Sequence, residues 1–208
     1  MKIGLEQYFA VPVMFGFLDK DVVDNSLNLS KQYMKDNSWE TIEPTGKTIT
    51  TYYDDKTLNY LGLVNDLSML VEINTISRNF LEVLGLDPAM DLIIENWLNL
   101  NNKLSGHYHH EHYKSVVSGV LYLETDGKSG NLIFCDPVKT RTQAQAYNAT
   151  KRLETNQYNF QTITVKPEAG KVVLFESWLT HVVEPNVSDH NRISIAFNVY
   201  EDVKKSHG

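Results

Sequence analysis

After Pro88 the chain changes period, and that change constrains its fold more than any other feature. Residues 92–100 (Leu-Ile-Ile-Glu-Asn-Trp-Leu-Asn-Leu) and 116–123 carry β-branched and aromatic residues between turn signals, the composition of a pleated, buried surface. Segments of the same kind follow at 131–135, 160–165, 171–175 and 192–200, separated by Gly-, Pro- and Asn-rich turns. Such a series of short strands predicts two packed sheets, as in a sandwich or barrel.

The first half reads differently. Residues 8–17 form an apolar-aromatic run with Pro12 inside; proline donates no ladder hydrogen bond, so the run suits an edge strand. Across 19–37 the positions Val22, Val23, Leu27, Leu29, Tyr33 and Met34 recur at near-helical spacing. Across 66–84 a stronger stripe runs from Leu67 through Met69, Leu70, Ile73, Ile76, Phe80 and Leu81 to Val83, and Gly85 stops it. Residues 136–159 have weak periodicity and hold Arg141, Tyr147, Arg152 and Tyr158, as a lid, a binding loop or a merely mobile connection would. At 208 residues with 42% hydrophobic content, one domain over 1–208 is expected, a helical and strand elaboration (1–90) preceding a β core (91–200).

No stretch approaches a membrane span, and the opening residues carry one cation and no apolar run ending at a small-residue cleavage site, so a cytoplasmic setting without membrane contact is expected. The formal charge of −7, with no basic run longer than Lys204-Lys205, argues against a strong nucleic-acid surface. Cys135 is the single cysteine. An intramolecular disulfide and a thiolate zinc cluster are therefore excluded, and any metal must sit on nitrogen and oxygen.

The densest chemical signal is Gly106-His107-Tyr108-His109-His110-Glu111-His112, with four of the seven histidines in six consecutive positions. On a strand, side chains alternate, so Tyr108, His110 and His112 share one face and His107, His109 and Glu111 the other. Either face offers two chelating groups of the kind that hold non-haem iron, as a His-x-His pair (His110, His112) or a His-x-Glu pair (His109, Glu111). His181, just beyond the apolar strand ending near Phe175, supplies a third ligand from a distant segment. Arg192 and Ser194 then share one face of an otherwise apolar strand. A guanidinium fork with a hydroxyl beside it can grip a carboxylate, and a buried arginine needs an anion to offset its desolvation.

Four segments carry a resemblance: His110-Glu111-His112 with Ser118-Gly119-Val120-Leu121-Tyr122 after it; Gly130-Asn131-Leu132-Ile133-Phe134-Cys135-Asp136-Pro137; the run from Gly170 through Glu176-Ser177-Trp178-Leu179-Thr180-His181 to Asn186; and Arg192-Ile193-Ser194-Ile195-Ala196-Phe197-Asn198. In these the chain resembles the 2-oxoglutarate and iron(II)-dependent oxygenase superfamily, particularly a prolyl-hydroxylase-like branch common in marine bacteria and their phages. The resemblance implies a double-stranded β-helix (jelly roll, cupin-like) behind N-terminal helices, in the cytoplasm of a host if phage-encoded. It implies Fe(II) on His110, His112 and His181, and the distal carboxylate of 2-oxoglutarate on Arg192 with help from Ser194 and Tyr122. The implied activity is hydroxylation of a small-molecule or peptidyl substrate by molecular oxygen, giving succinate and CO2. The wider superfamily has an acid where His112 stands, so either iron sits on three histidines or Glu111 supplies the carboxylate.

Two other readings are compatible with these residues: a cupin-like three-histidine metalloenzyme needing no keto acid, and a noncatalytic module on the same fold. Trp97, Trp178, Phe134 and Phe175 read as core rather than substrate platforms, and Asn198 either hydrogen-bonds near the pocket or, as is commoner for an Asn near a strand end, is a turn partner. Metal binding needs neutral imidazoles, so affinity is expected to fall below the reference value of about 6.5.

Overall fold

A computed structural model describes residues 10–37, 41–42, 48–52, 58–138 and 159–203. In chain order the elements are β1 (Val13–Phe17), α1 (Lys20–Asp36), β2 (Thr41–Ile42), β3 (Thr48–Thr50), α2 (Tyr60–Leu63), α3 (Leu67–Val83), β4 (Leu92–Asn101), β5 (His107–His110), β6 (Val117–Glu124), β7 (Leu132–Cys135), β8 (Thr162–Val165), β9 (Lys171–Glu176), β10 (His181–Val183) and β11 (Arg192–Glu201). A seven-stranded sheet in the order β1-β9-β6-β11-β4-β3-β2 packs with a four-stranded sheet in the order β5-β10-β7-β8. This is the double-stranded β-helix. No helix among the described residues is long and apolar enough to cross a membrane.

Period-two patterning puts the large sheet between helices and cavity. On β11, Ile193, Ile195, Phe197 and Val199 join the core cluster that also holds Val23 of α1 and Met69, Ile73, Phe80 and Leu81 of α3. Burying each large apolar side chain contributes roughly 1.5–3 kcal/mol, so Phe80→Ala should cost about 3–5 kcal/mol. The alternate positions Arg192, Ser194 and Asn198 are buried too, with nothing apolar about them. Buried polar groups on an inner sheet face mark a place built for something other than packing.

The helices are anchored by specific bonds. Asp66 caps α3 by accepting from the Met69 N–H at 3.3 Å, and accepts from Ser26 Oγ of α1 at 2.5 Å, which ties the two helices together. Gly85, at φ +73°, follows the last turn of α3. Leu67 and Val83, at the ends of the stripe, are exposed. In the large sheet Gly119 lies under the Phe197 ring; a Cβ there would fall 2.2 Å from Phe197 Cζ, so only glycine fits.

Two local expectations need correction. Pro12 lies before β1 rather than inside it: the strand begins at Val13, where N–H donors resume, and it is an edge strand paired only with β9. Trp178 is 46% exposed, because it sits in the turn between β9 and β10 rather than on a strand face. The short elements β2, β3, α2 and β10 carry too few residues for periodicity to reveal them. Most of the 136–159 segment, with Arg141, Tyr147, Arg152 and Tyr158, lies outside the described residues.

Candidate metal centre and adjoining cavity

The small sheet brings the distant histidines together. In the β5–β10 pair His181 lies opposite His110, and β7 flanks β10 on the other side. His112 follows the end of β5, where its backbone N–H donates to the Ser177 carbonyl at 2.9 Å. Ring centroids are 4.2 Å apart for His110–His181, 5.2 Å for His110–His112 and 5.4 Å for His112–His181. One ring nitrogen from each of the three lies within 4.8 Å of the others.

Hydrogen bonds orient two of these rings. Nδ1 of His181 is 2.9 Å from the Leu179 carbonyl, and Nδ1 of His110 is 2.7 Å from the Tyr108 carbonyl. A carbonyl only accepts, so both rings carry their proton on Nδ1 and keep a lone pair on Nε2, the tautomer that metal ligation requires. Burial pushes the His181 imidazole down to about 3, with His110 adding to the effect. Burial, again with His110, pushes His112 down to about 4. Both rings stay neutral well below the free-imidazole value.

The other end of the cavity is cationic. Arg192 is 2% exposed. Its Nη1 donates to the carbonyls of Ser129 (2.7 Å) and Gly130 (2.8 Å), while its buried Nε has no hydrogen-bond partner. Gly130 can present that carbonyl because it sits at φ +87°, its Cα packed so close to Glu184 that a Cβ would fall 2.1 Å from the Glu184 carbonyl oxygen. No carboxylate among the described residues forms an ion pair with the guanidinium. Burial lowers the Arg192 pKa, with Tyr122 opposing, yet a guanidinium stays charged in proteins. Burial pushes the Tyr122 hydroxyl up to about 12, so it remains a donor at neutral pH. Ser194 and Tyr122 are register partners on β11 and β6.

A cavity of about 100 Å³ joins the two ends and is lined by His110, His112 and His181 together with Arg192, Ser194 and Tyr122. A second recess of about 390 Å³ adjoins it, walled by Tyr52, Tyr108, His109 and Glu111 and sharing Trp97, Asn99, His107, His110 and His112 with the inner cavity.

The alternative pair is not brought to this centre. His109 is exposed, and the Glu111 carboxylate accepts from Thr180 Oγ1, outside the converging group. His107 departs from strict alternation. Val183 opposes His107 while His181 opposes His110, so three steps on β5 meet two on β10; this bulge lets His107 line the same cavity as His110. Asn198 is not a turn partner but buried in mid-strand, bonded to Ser118 at 2.7 Å and with Nδ2 3.5 Å from His112 Nδ1. Asn99 and Asn101 also line the cavity. Their one sequence signal was amide residues at alternate positions, 99 and 101, beside the apolar Leu98 and Leu100.

A family model described as "Putative 2OG-Fe(II) oxygenase" matches residues 95–198, half of the chain. The chain belongs to the 2OG-Fe(II) oxygenases. Its cofactor is Fe(II) and its co-substrate 2-oxoglutarate, which decides against a keto-acid-independent cupin and against a noncatalytic module. In fold this oxygenase is similar to SnoN, a non-heme alpha-ketoglutarate-dependent epimerase from nogalamycin biosynthesis, at 13% identity over 92% of this chain and 79% of that one, TM-score 0.66. It is similar to a Pseudomonas putida prolyl-4-hydroxylase at 16% identity over 92% and 93%, TM-score 0.56. HygX from Streptomyces hygroscopicus, solved with nickel, 2-oxoglutarate and hygromycin B, matches at 15% identity over 93% and 84%, TM-score 0.54. No curated protein matches the chain in sequence. The cavity fits both groups the family uses: it offers converging imidazole nitrogens for the metal, and a buried guanidinium with an unpartnered N–H for an anion.

Proposed function

We propose that this oxygenase is a hydroxylase of an organic or peptidyl substrate, with Fe(II) on His110, His112 and His181 and the distal carboxylate of 2-oxoglutarate on Arg192, Ser194 and Tyr122. The observation that carries the reading is the shared cavity, which puts three imidazoles at one end and an uncompensated guanidinium at the other. With iron and 2-oxoglutarate bound, the site supplies an oxidation in which O2 and the keto acid give succinate and CO2 and one oxygen enters a substrate C–H bond.

The chain's own residues hold this chemistry in place. The carbonyls of Leu179 and Tyr108 fix the tautomers of His181 and His110. Three neutral imidazoles would leave the charge of a bound metal uncompensated and so would favour an anionic co-substrate beside it. Phe175 and Phe134 pack near His181, with ring centroids at 4.7 and 6.2 Å, and apolar walls of this kind keep water from the reacting centre. The outer recess, floored by Trp97 and the histidines, is the approach for the organic substrate.

Incubation of the iron-loaded enzyme with 2-oxoglutarate, isotopically heavy O2 and panels of peptides and cyclic metabolites tests the reading. The expected result is succinate coupled to a product heavier by one labelled oxygen. Desaturated, epimerised or cyclised products without label would replace hydroxylation with another oxidation.

A further inference from the structure

His107 stands outside the converging group of three, yet it lines the inner cavity and the outer recess alike. The β5 bulge is what turns it there. Its ring centroid is 6.2 Å from that of His110, and its Nε2 is 3.5 Å from Nδ2 of Asn101, the register partner of Arg192 on β4. The cavity that it lines has the metal-side imidazoles at one end and the guanidinium at the other. A ligand that reaches from one to the other passes beside it.

The bonding pattern indicates what the ring can do there. With the Asn101 amide nitrogen turned toward it at 3.5 Å, Nε2 accepts, and the single proton of a neutral imidazole then sits on Nδ1 as a donor. A doubly ionised keto acid presents only acceptors. Three of the donors it needs are Arg192, Ser194 and Tyr122; the His107 N–H is a fourth, on the wall that divides the co-substrate space from the recess.

We propose that His107 is a co-substrate contact that donates a hydrogen bond to bound 2-oxoglutarate from the wall shared by the two cavities. This rests on the reading that the keto acid lies between the three histidines and Arg192. The role is independent of iron ligation, which separates it from that of its neighbours in the cluster.

The test is an anaerobic titration of 2-oxoglutarate into the iron(II)-loaded full chain, followed by the visible charge-transfer band of the chelated keto acid, for wild type, His107→Phe, His107→Gln and Arg192→Met. Iron stoichiometry should be unchanged in both His107 variants. The Kd for 2-oxoglutarate should rise roughly 10-fold or more in His107→Phe, as loss of a hydrogen bond to a charged group does, and His107→Gln, which keeps an N–H donor, should recover most of it. If the phenylalanine variant does not fold, His107→Ala reads the same loss. A Kd within about two-fold of wild type, or loss of iron from the variant, overturns the proposal. Weakened binding in Arg192→Met beside unchanged binding in His107→Phe sinks this inference alone, whereas no effect in either sinks the placement of the keto acid itself.

Discussion

His181 faces His110 across the β10–β5 pair, their ring centroids 4.2 Å apart, although 71 positions (181 − 110) separate them in sequence. On the proposed ligand set, removal of either imidazole leaves two ligands where three converge. His110→Ala, His112→Ala and His181→Ala should each abolish stoichiometric iron binding by metal analysis after gel filtration. His109→Ala, whose ring is exposed, should retain it. Iron loss in the His109 variant alone would show that the opposite face of the segment holds the metal.

Arg192 carries the second prediction. Its guanidinium is buried and bonded to two backbone carbonyls, with Nε unpartnered. Truncation to alanine should leave the iron content near normal while 2-oxoglutarate-dependent succinate formation disappears. Weakened keto-acid binding of roughly 10- to 150-fold is the scale set by hydrogen bonds to charged groups. Arg192→Lys should recover only part, because an ammonium cannot reproduce the planar fork.

A polar chain beneath His112 gives the third. Ser177, Ser118 and Asn198 are all buried, linked by bonds of 2.8 and 2.7 Å, and the Asn198 amide lies 3.5 Å from His112 Nδ1. The two amide orientations are isosteric. The one that serves metal binding turns Oδ1 toward a protonated Nδ1 and leaves Nε2 for the ion. Asn198→Leu should raise the dissociation constant for iron by about 10- to 100-fold, while Asn198→Asp, which keeps an acceptor, should not. Unchanged affinity in the leucine variant would confine Asn198 to packing.

The fourth concerns pH. The imidazoles of half-buried His107 and His112 and of buried His181 are pushed down to about 4, 4 and 3 in the folded chain, against about 6.5 when unfolded. Between those values the unfolded chain binds more protons, so stability rises with pH across that window. The metal-free protein should have its full histidine contribution above pH 6.5 and lose it progressively toward pH 4 and below. Urea denaturation of the apo-protein at several pH values from 7 to 4 checks this; a flat midpoint would mean that these rings are not buried as described.

Much of this was legible in the sequence because alternation is a strong signal where both sheet faces are buried. On β11 the odd positions from 193 to 199 are apolar and the even ones carry Arg192, Ser194 and Asn198, so the fold and one end of the cavity could be read directly. His107 could not, since a one-residue bulge reverses the face that alternation assigns. Asn198 was legible only in part: its place near the end of the 192–200 run suits a turn partner as well as a pocket contact, and only the tertiary structure shows the amide buried and bonded to Ser118. The β10 strand has three residues and owes its existence to pairing with β5 and β7, a tertiary cause that local pattern does not encode. Trp178 shows the converse, an aromatic residue left outside by a turn.

The most direct test of the account is an anomalous difference map from crystals grown anaerobically with Fe(II) and 2-oxoglutarate. One metal peak should lie about 2.1 Å from a ring nitrogen of each of His110, His112 and His181, with the keto acid extending from it to a carboxylate on Arg192. A peak on His109 and Glu111, or a keto acid bound away from Arg192, would contradict it.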